Sequence, residues 1–217
     1  MYDLWDTYLP AFEAGFVRGN ASGAMCSYIS LAIGGTSISA AVPSCANPYL
    51  LQTVVREYWG RSDAVHTSDC GAVSNMATSN HYVTNLTYAA AVALSAGMDL
   101  NSESTLPKNL PLAISLGLVS VAALDAAISR TLTARMRVGM LDPISLLGAY
   151  GRYDWSNVSM PASRDAAAEG VLQGTVLIKN DGGTLPLRRG ISLAVVGPTC
   201  DNTDAMLGDF YADIAGV

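Results

Sequence analysis

Apolar residues along the chain follow two patterns: helical spacing in longer segments and short continuous runs between them. Apolar side chains three or four positions apart predict helices over residues 1–20, 47–60, 87–97, 106–117 and 120–139. Short apolar runs predict buried strands over residues 23–28, 64–68 and 98–100. Strands that alternate with helices are typical of parallel sheets with helical crossovers, so the pattern predicts an α/β fold.

Residues at the ends of these segments support the helices. Asn47 is placed to cap the second helix, and Ser120 is placed to cap the helix over 120–139. In the first predicted helix one face carries the larger apolar residues Leu4, Tyr8, Phe12 and Phe16. The chain opens inside this helix, which favours a fragment that begins within a larger domain.

A second α/β unit is predicted towards the end of the chain. Residues 143–160 contain Pro, Gly, Tyr and Ser without a period, and are interpreted as a linker. A helix over 161–180 and a buried strand over 191–197 follow. The predicted organisation is therefore one domain over 1–142, the linker, and the start of a second domain over 161–217.

Composition narrows the possible functions. Half of the 217 residues are hydrophobic and 14% are charged, which indicates a folded core rather than a disordered chain. A net charge of -6 excludes nucleic acid as a partner, since binding a polyanion needs clustered cations. No apolar run reaches the ~18 residues of a membrane span, and the first 20 residues do not resemble a secretory signal.

Cysteines and glycosylation sequons indicate whether the protein is secreted. Cys26, Cys45, Cys70 and Cys200 fit either free thiols or two disulfides, with three possible pairings. Three Asn-X-Ser/Thr sequons begin at Asn20, Asn85 and Asn157. With the scarcity of Lys, the sequons favour a secreted glycoprotein.

Candidate chemistry lies in the stretch AVHTSDCGAV, where the strand over 64–68 runs into Asp69 and Cys70. In parallel α/β folds the loops at the carboxyl ends of strands form the functional sites, so Asp69 is a candidate catalytic carboxylate. The alternative is that Asp69 only caps a turn or helix. Glu103 is a second candidate at the same edge, with a solvated loop carboxylate as the alternative. His66 and His81 do not have metal-ligand spacing.

Ordered motifs resemble glycoside hydrolase family three, in its fungal and plant β-xylosidase branch. They read MCSY, VPSCANPYLLQTVVREYWG, TSDCGAV, AGMDL, then GLVSVAALDAAISRTLTARMRVGMLDP, AAAEGVLQGTVLIKNDGGTLPL and LAVVGPTCDNTDAMLGDF. They cover nearly the whole chain. The resemblance implies the C-terminal part of a (β/α)₈ barrel of the TIM type over 1–142, followed by the start of an α/β sandwich domain.

The resemblance also implies an activity and a site. Family members are retaining exo-glycosidases, and the nucleophile of their S-D-C or S-D-W motif corresponds to Asp69. Met25 and Tyr28 correspond to residues that line the sugar subsite, and Tyr28 is expected to hydrogen-bond Asp69. Cys70, where glucosidases carry Trp, favours xylose or arabinose over glucose. Xylo-oligosaccharides are the implied substrate, and no metal or organic cofactor is implied.

Departures from the family pattern qualify these expectations. The family's pattern implies a disulfide between Cys26 and Cys45, whereas the usual partner of Cys70 after the AGMD motif is absent. An insertion over 29–41 follows Tyr28. No residue of this chain matches the family's acid/base Glu, so the isolated chain is expected to have little or no activity. The alternatives are a β-glucosidase, an arabinofuranosidase, or a non-catalytic remnant or sugar-binding fragment.

Overall fold

The computed structural model describes residues 1–32, 37, 40–146, 148 and 150–202. The chain divides into two units, Met1–Arg152 and Tyr153–Val217. The boundary falls inside the segment 143–160. None of the helices in the described residues is long and apolar enough to cross a membrane.

Two parallel strands form the centre of the first unit. Strand β1 (Gly23–Cys26) pairs with β4 (Val65–Ser68) in a register that sets Gly23 beside Val65 and Met25 beside Thr67. A parallel bridge joins Thr67 to Leu100. Helices precede and follow these strands, so the mixed strand and helix fold predicted from the sequence is confirmed.

Five helices of the first unit lie close to their predicted positions, and a sixth, over Ala72–Thr78, was not predicted from the sequence. They are α1 (residues 4–18, with π-helical turns at Leu4–Tyr8 and Ala14–Arg18), α2 (Tyr49–Tyr58, wound as a π-helix), α3 (Ala72–Thr78), α4 (Leu86–Ala96), α5 (Thr105–Ser115) and α6 (Val121–Arg137). Asn47 Oδ1 accepts a hydrogen bond from Leu50 N at 3.3 Å, and Ser120 Oγ accepts one from Ala123 N at 3.2 Å. Both predicted caps are therefore confirmed.

Apolar side chains of the first unit are buried in two clusters. In the larger cluster α4 contributes several alanines, whose small side chains let α3 and α5 approach closely. The smaller cluster joins Leu9 and Phe16 of α1 to Val54 and Trp59. Tyr8 of the predicted apolar face is exposed, as is Phe12. Both line an open apolar cavity of about 440 Å³ beside α2, so this face of α1 is only partly covered.

An antiparallel pair joins the start of the insertion after Tyr28 to the residues directly after its end. Strand β2 (Ser30–Leu31) pairs with β3 (Val42–Pro43). Residues 33–36 and 38–39 of the insertion lie outside the described residues. A short 3₁₀ turn, Ser44–Ala46, follows β3 and carries Cys45, which forms a disulfide with Cys26.

The second unit differs from its prediction at one element. Helix α7 (Pro161–Gly174) forms within the predicted range 161–180. The prediction of a buried strand over 191–197 is wrong: these residues form no strand, and Val195 and Val196 are 73% and 85% exposed. A strand needs a neighbour to accept its backbone hydrogen bonds, and the described residues of this unit contain no other strand.

Candidate functional site

The strand register brings Met25 and Asp69 to one region of the first unit. Successive side chains of a strand point to opposite faces, so Cys26, His66 and Ser68 point into the core. Met25 and Thr67, which are paired, lie on the opposite face. There they line an open cavity of about 410 Å³. Asp69 follows β4 directly, at the carboxyl end of this strand pair.

Hydrogen bonds hold the backbone and the carboxylate of Asp69. Its N–H donates to the carbonyl oxygen of Cys26 at 3.0 Å, and its carbonyl accepts from Ala72 N at 3.1 Å. One carboxylate oxygen, Oδ1, accepts from Cys70 N at 2.7 Å. Gly71 adopts a φ of 78°, which favours glycine and turns the chain into α3. The carboxylate is therefore presented on a defined turn.

Tyr28 lies across this turn. Its hydroxyl donates to the carbonyl oxygen of Cys70 and also lies within hydrogen-bonding reach of the Asp69 carboxylate, the partner expected from the sequence. The pKa of Tyr28 is raised by desolvation and then by the negative charge of Asp69. The phenol consequently stays protonated near neutral pH and remains a hydrogen-bond donor.

Two interpretations of Glu103 are possible from the sequence: a candidate site residue at the strand-end edge, or a solvated loop carboxylate. The structure places Glu103 at the edge. Its Oε1 accepts a hydrogen bond from Ser74 N, in the first turn of α3, at 2.9 Å. The charge of Glu103 also contributes to raising the pKa of Tyr28. The negative charges of two carboxylates, Asp69 and Glu103, thus both act on the Tyr28 hydroxyl.

Asp99 has no predicted role beyond its place in the AGMDL motif. Its side chain is fully buried and pairs with Arg56 at 2.7 Å and Arg130 at 2.8 Å. It also accepts a hydrogen bond from His66 N at 2.8 Å. These bonds link β4 to helices α2 and α6, so they fix the strand that leads to Asp69. The signal in the sequence is a carboxylate directly after the buried residue Met98.

His66 is buried in the same region as a neutral imidazole. Burial and the nearby charge of Arg56 lower its pKa to about 4. His66 Nε2 lies 3.0 Å from the carbonyl oxygen of Leu51, the geometry of an N–H donating to a carbonyl. His66 Nδ1 has no hydrogen-bond partner within the described residues.

The remaining predicted residues are distributed as follows. Cys70 carries a free, exposed thiol beside Asp69. Asn20 and Asn85 are exposed, and Asn85 Oδ1 caps α4 by accepting from Thr87 N and Tyr88 N. Asn157 is half-buried in the second unit. The described residues contain no cluster of three His, Cys, Asp or Glu that could hold a metal ion.

Comparisons with known proteins relate the chain to glycosidases. No family model matches the chain. A probable exo-1,4-beta-xylosidase of Aspergillus terreus is 38% identical over 210 residues, which are 96% of this chain and 26% of that protein. A solved GH3 exo-beta-xylosidase in complex with a xylobiose aziridine activity-based probe superposes with a TM-score of 0.64 at 28% identity. The superposition covers 87% of this chain and 23% of the solved xylosidase chain.

A beta-glucosidase of Listeria innocua in complex with isofagomine is also similar, with a TM-score of 0.62 at 25% identity over 86% of this chain and 25% of that one. The chain is thus a homologue of O-glycosyl hydrolases. Its predicted resemblance to the fungal β-xylosidases of glycoside hydrolase family three is confirmed. It spans about a quarter of the length of the curated xylosidase.

Proposed function

We propose that this chain is the nucleophile-bearing segment of a retaining exo-β-xylosidase that releases terminal xylose from xylo-oligosaccharides. Residues 1–142 would form the C-terminal part of a TIM-type barrel, 143–160 a linker, and 161–217 the start of an α/β sandwich domain. The observation that carries the proposal is the position of Asp69. It is a carboxylate on a hydrogen-bonded turn at the end of a parallel strand, in a chain homologous to exo-xylosidases.

The chemistry required of Asp69 is a direct attack on the sugar. One carboxylate oxygen forms a bond to the anomeric carbon, and the bond to the leaving oxygen breaks, giving a covalent glycosyl-enzyme that water later hydrolyses. Cys70 N donates to Oδ1 and fixes the carboxylate in orientation. The attack also requires a proton donor about 5–5.5 Å away. We assign that donor to a residue outside these 217.

Met25, Tyr28 and Cys70 would line the sugar subsite around this carboxylate. Met25 presents an exposed thioether on the face shared with Thr67, beside the cavity of about 410 Å³. The protonated Tyr28 hydroxyl keeps the Cys70 carbonyl in place. A small Cys70 side chain leaves a pocket shaped differently from one that carries Trp, and we infer xylose rather than glucose as the preferred sugar.

Secretion and glycosylation form part of the same proposal. Asn85 is exposed, and its Oδ1 is used in capping α4, so the amide nitrogen that would carry a glycan stays available. Asn20 is exposed as well. Asn157 is the third acceptor, in the second unit.

The experiment replaces the matching segment of the Aspergillus terreus xylosidase with this chain. We expect the hybrid to hydrolyse 4-nitrophenyl β-xyloside faster than the β-glucoside, and Asp69→Asn to reduce hydrolysis to background. Asp125→Asn, the same chemical change at an exposed position of α6, serves as the control and should keep full activity. Unchanged hydrolysis after Asp69→Asn contradicts the assignment of the nucleophile. Faster glucoside hydrolysis contradicts the inferred sugar.

A further inference from the structure

Hydrogen bonds restrain the backbone around Asp69 from several directions. We define residues 68–71 as the Asp69 turn. Strand β1 holds it through the bond from Asp69 N to Cys26 O, and Tyr28 holds it through the Cys70 carbonyl. The Gly71 carbonyl accepts from Asn75 N at 2.8 Å inside α3. A further set of contacts comes from a single loop, residues 101–103.

Ser102 of that loop binds the beginning of the Asp69 turn twice. Its hydroxyl donates to the carbonyl oxygen of Ser68 at 2.6 Å, and its backbone N–H donates to Ser68 Oγ at 3.0 Å. Ser68 itself is 0% exposed, so water cannot replace these partners without the strand end opening. The Ser102 contacts therefore fix the residue immediately before Asp69.

Glu103 of the same loop binds the structure immediately after the Asp69 turn. Its Oε1 accepts from Ser74 N at 2.9 Å, and the Ser74 hydroxyl in turn donates to the Gly71 carbonyl at 2.9 Å. Loop 101–103 thus contacts the chain on both sides of Asp69. Neither Ser102 nor Glu103 forms a hydrogen bond with the Asp69 side chain.

We propose that Ser102 and Glu103 are positioning residues, which hold the Asp69 carboxylate at its attacking position by fixing the turn from both ends. This inference rests on the proposed function, since a glycosidase nucleophile is the reason for such restraint. A carboxylate that attacks a bound carbon has to be held to within about 0.5 Å of its productive position. Contacts with the flanking backbone supply that restraint and leave the carboxylate free to react.

The first test measures amide hydrogen exchange by NMR in the full 217-residue chain. Ser102→Ala and Glu103→Ala should each accelerate exchange at Asp69, Cys70 and Ser74 by about tenfold, the effect of losing one ordinary hydrogen bond. Amides of α4, which take no part in these hydrogen bonds, should exchange as before. The control is Ser104→Ala, because Ser104 is exposed directly after the loop and its side chain makes no capping bond to α5.

Conservative variants separate a specific contact from general loosening. Glu103→Gln keeps an oxygen that accepts from Ser74 N, and Ser102→Thr keeps the hydroxyl. Both should restore slow exchange at these three amides. The proposed contacts are overturned if Ser102→Ala and Glu103→Ala accelerate amide exchange no more than Ser104→Ala does. They are also overturned if the conservative variants do not restore slow exchange.

The second test asks whether the restraint serves catalysis, in the hybrid xylosidase described above. Ser102→Ala and Glu103→Ala should lower kcat by about tenfold and leave KM unchanged, because they disturb the attacking group rather than sugar binding. Unchanged kcat with accelerated exchange overturns the positioning role. Failure of the proposed function is a separate result, namely turnover that survives Asp69→Asn.

Discussion

The two units of the chain use similar apolar residues with different results. The first unit buries Leu, Val, Met and Ala in two clusters around β1 and β4. In the second unit no side chain among residues 153–202 is buried, although Leu177, Ile178, Val195 and Val196 are as apolar as the core residues of the first. Apolar character therefore makes a segment able to join a core. A paired strand or helix has to provide the surface against which it packs.

Ion pairs show the same contrast between the units. In the first unit Asp99 is 0% exposed and pairs with Arg56 and Arg130. In the second unit Asp181 pairs with Lys179 at 3.2 Å, with both side chains largely exposed. The Asp99 pairs join separate elements through a buried carboxylate, whereas the Asp181 pair joins two neighbours in water.

Removing the ion-paired carboxylate of each unit, Asp99 or Asp181, should give the largest difference in the free energy of unfolding. Asp99→Ala leaves Arg56 and Arg130 without their partner and should lower the free energy of unfolding by about 3–5 kcal/mol. Asp181→Ala should change nothing measurable, since exposed pairs contribute little. Urea denaturation followed by circular dichroism measures both. A loss for Asp99→Ala as small as that for Asp181→Ala would show that the buried network does not stabilise the first unit.

The difference between the units also shows which features of the structure could be predicted from the sequence and which could not. The location of Asp69 follows from the sequence, because a short β-branched run predicts a strand and the carboxyl ends of parallel strands form sites. The Asp99 network could not be predicted, since it joins residues 31 and 43 positions apart and periodicity carries no information on such contacts. The prediction of a strand over 191–197 was wrong for a related reason. Its apolar run is clear, but such a run does not specify which strand it would pair with.

The chain's two histidines allow a comparison of how stability depends on pH, because His66 is buried and His81 is exposed. The pKa of His66 is about 4 in the folded chain and near 6.5 when unfolded. Between these values the unfolded state binds more protons, so stability should fall as the pH falls from 6.5 towards 4. The loss should reach about 3 kcal/mol below pH 4, since each unit of pKa difference is worth about 1.4 kcal/mol.

Two variants isolate this contribution. His66→Gln removes the titrating imidazole and should flatten the decrease in unfolding free energy between pH 6.5 and 4. His81→Gln should leave the decrease as it is in the unchanged chain. Urea denaturation at several pH values measures the slopes, and equal slopes for the chain and for His66→Gln would contradict the neutral, buried state of His66.

Helix capping gives the smallest expected difference. Ser120 Oγ accepts from Ala123 N at the start of α6, the helix that carries Arg130 to Asp99. Asp154 caps only the short turn Trp155–Asn157 in the second unit, through Ser156 N. Ser120→Ala should lower the free energy of unfolding by about 1 kcal/mol, because an unsatisfied N–H is left at the start of a helix packed into the core. Asp154→Ala should have no measurable effect, since the turn it caps contains no buried side chain. Equal losses from both variants would mean that the cap acts locally and that its value does not depend on the core to which the helix is attached.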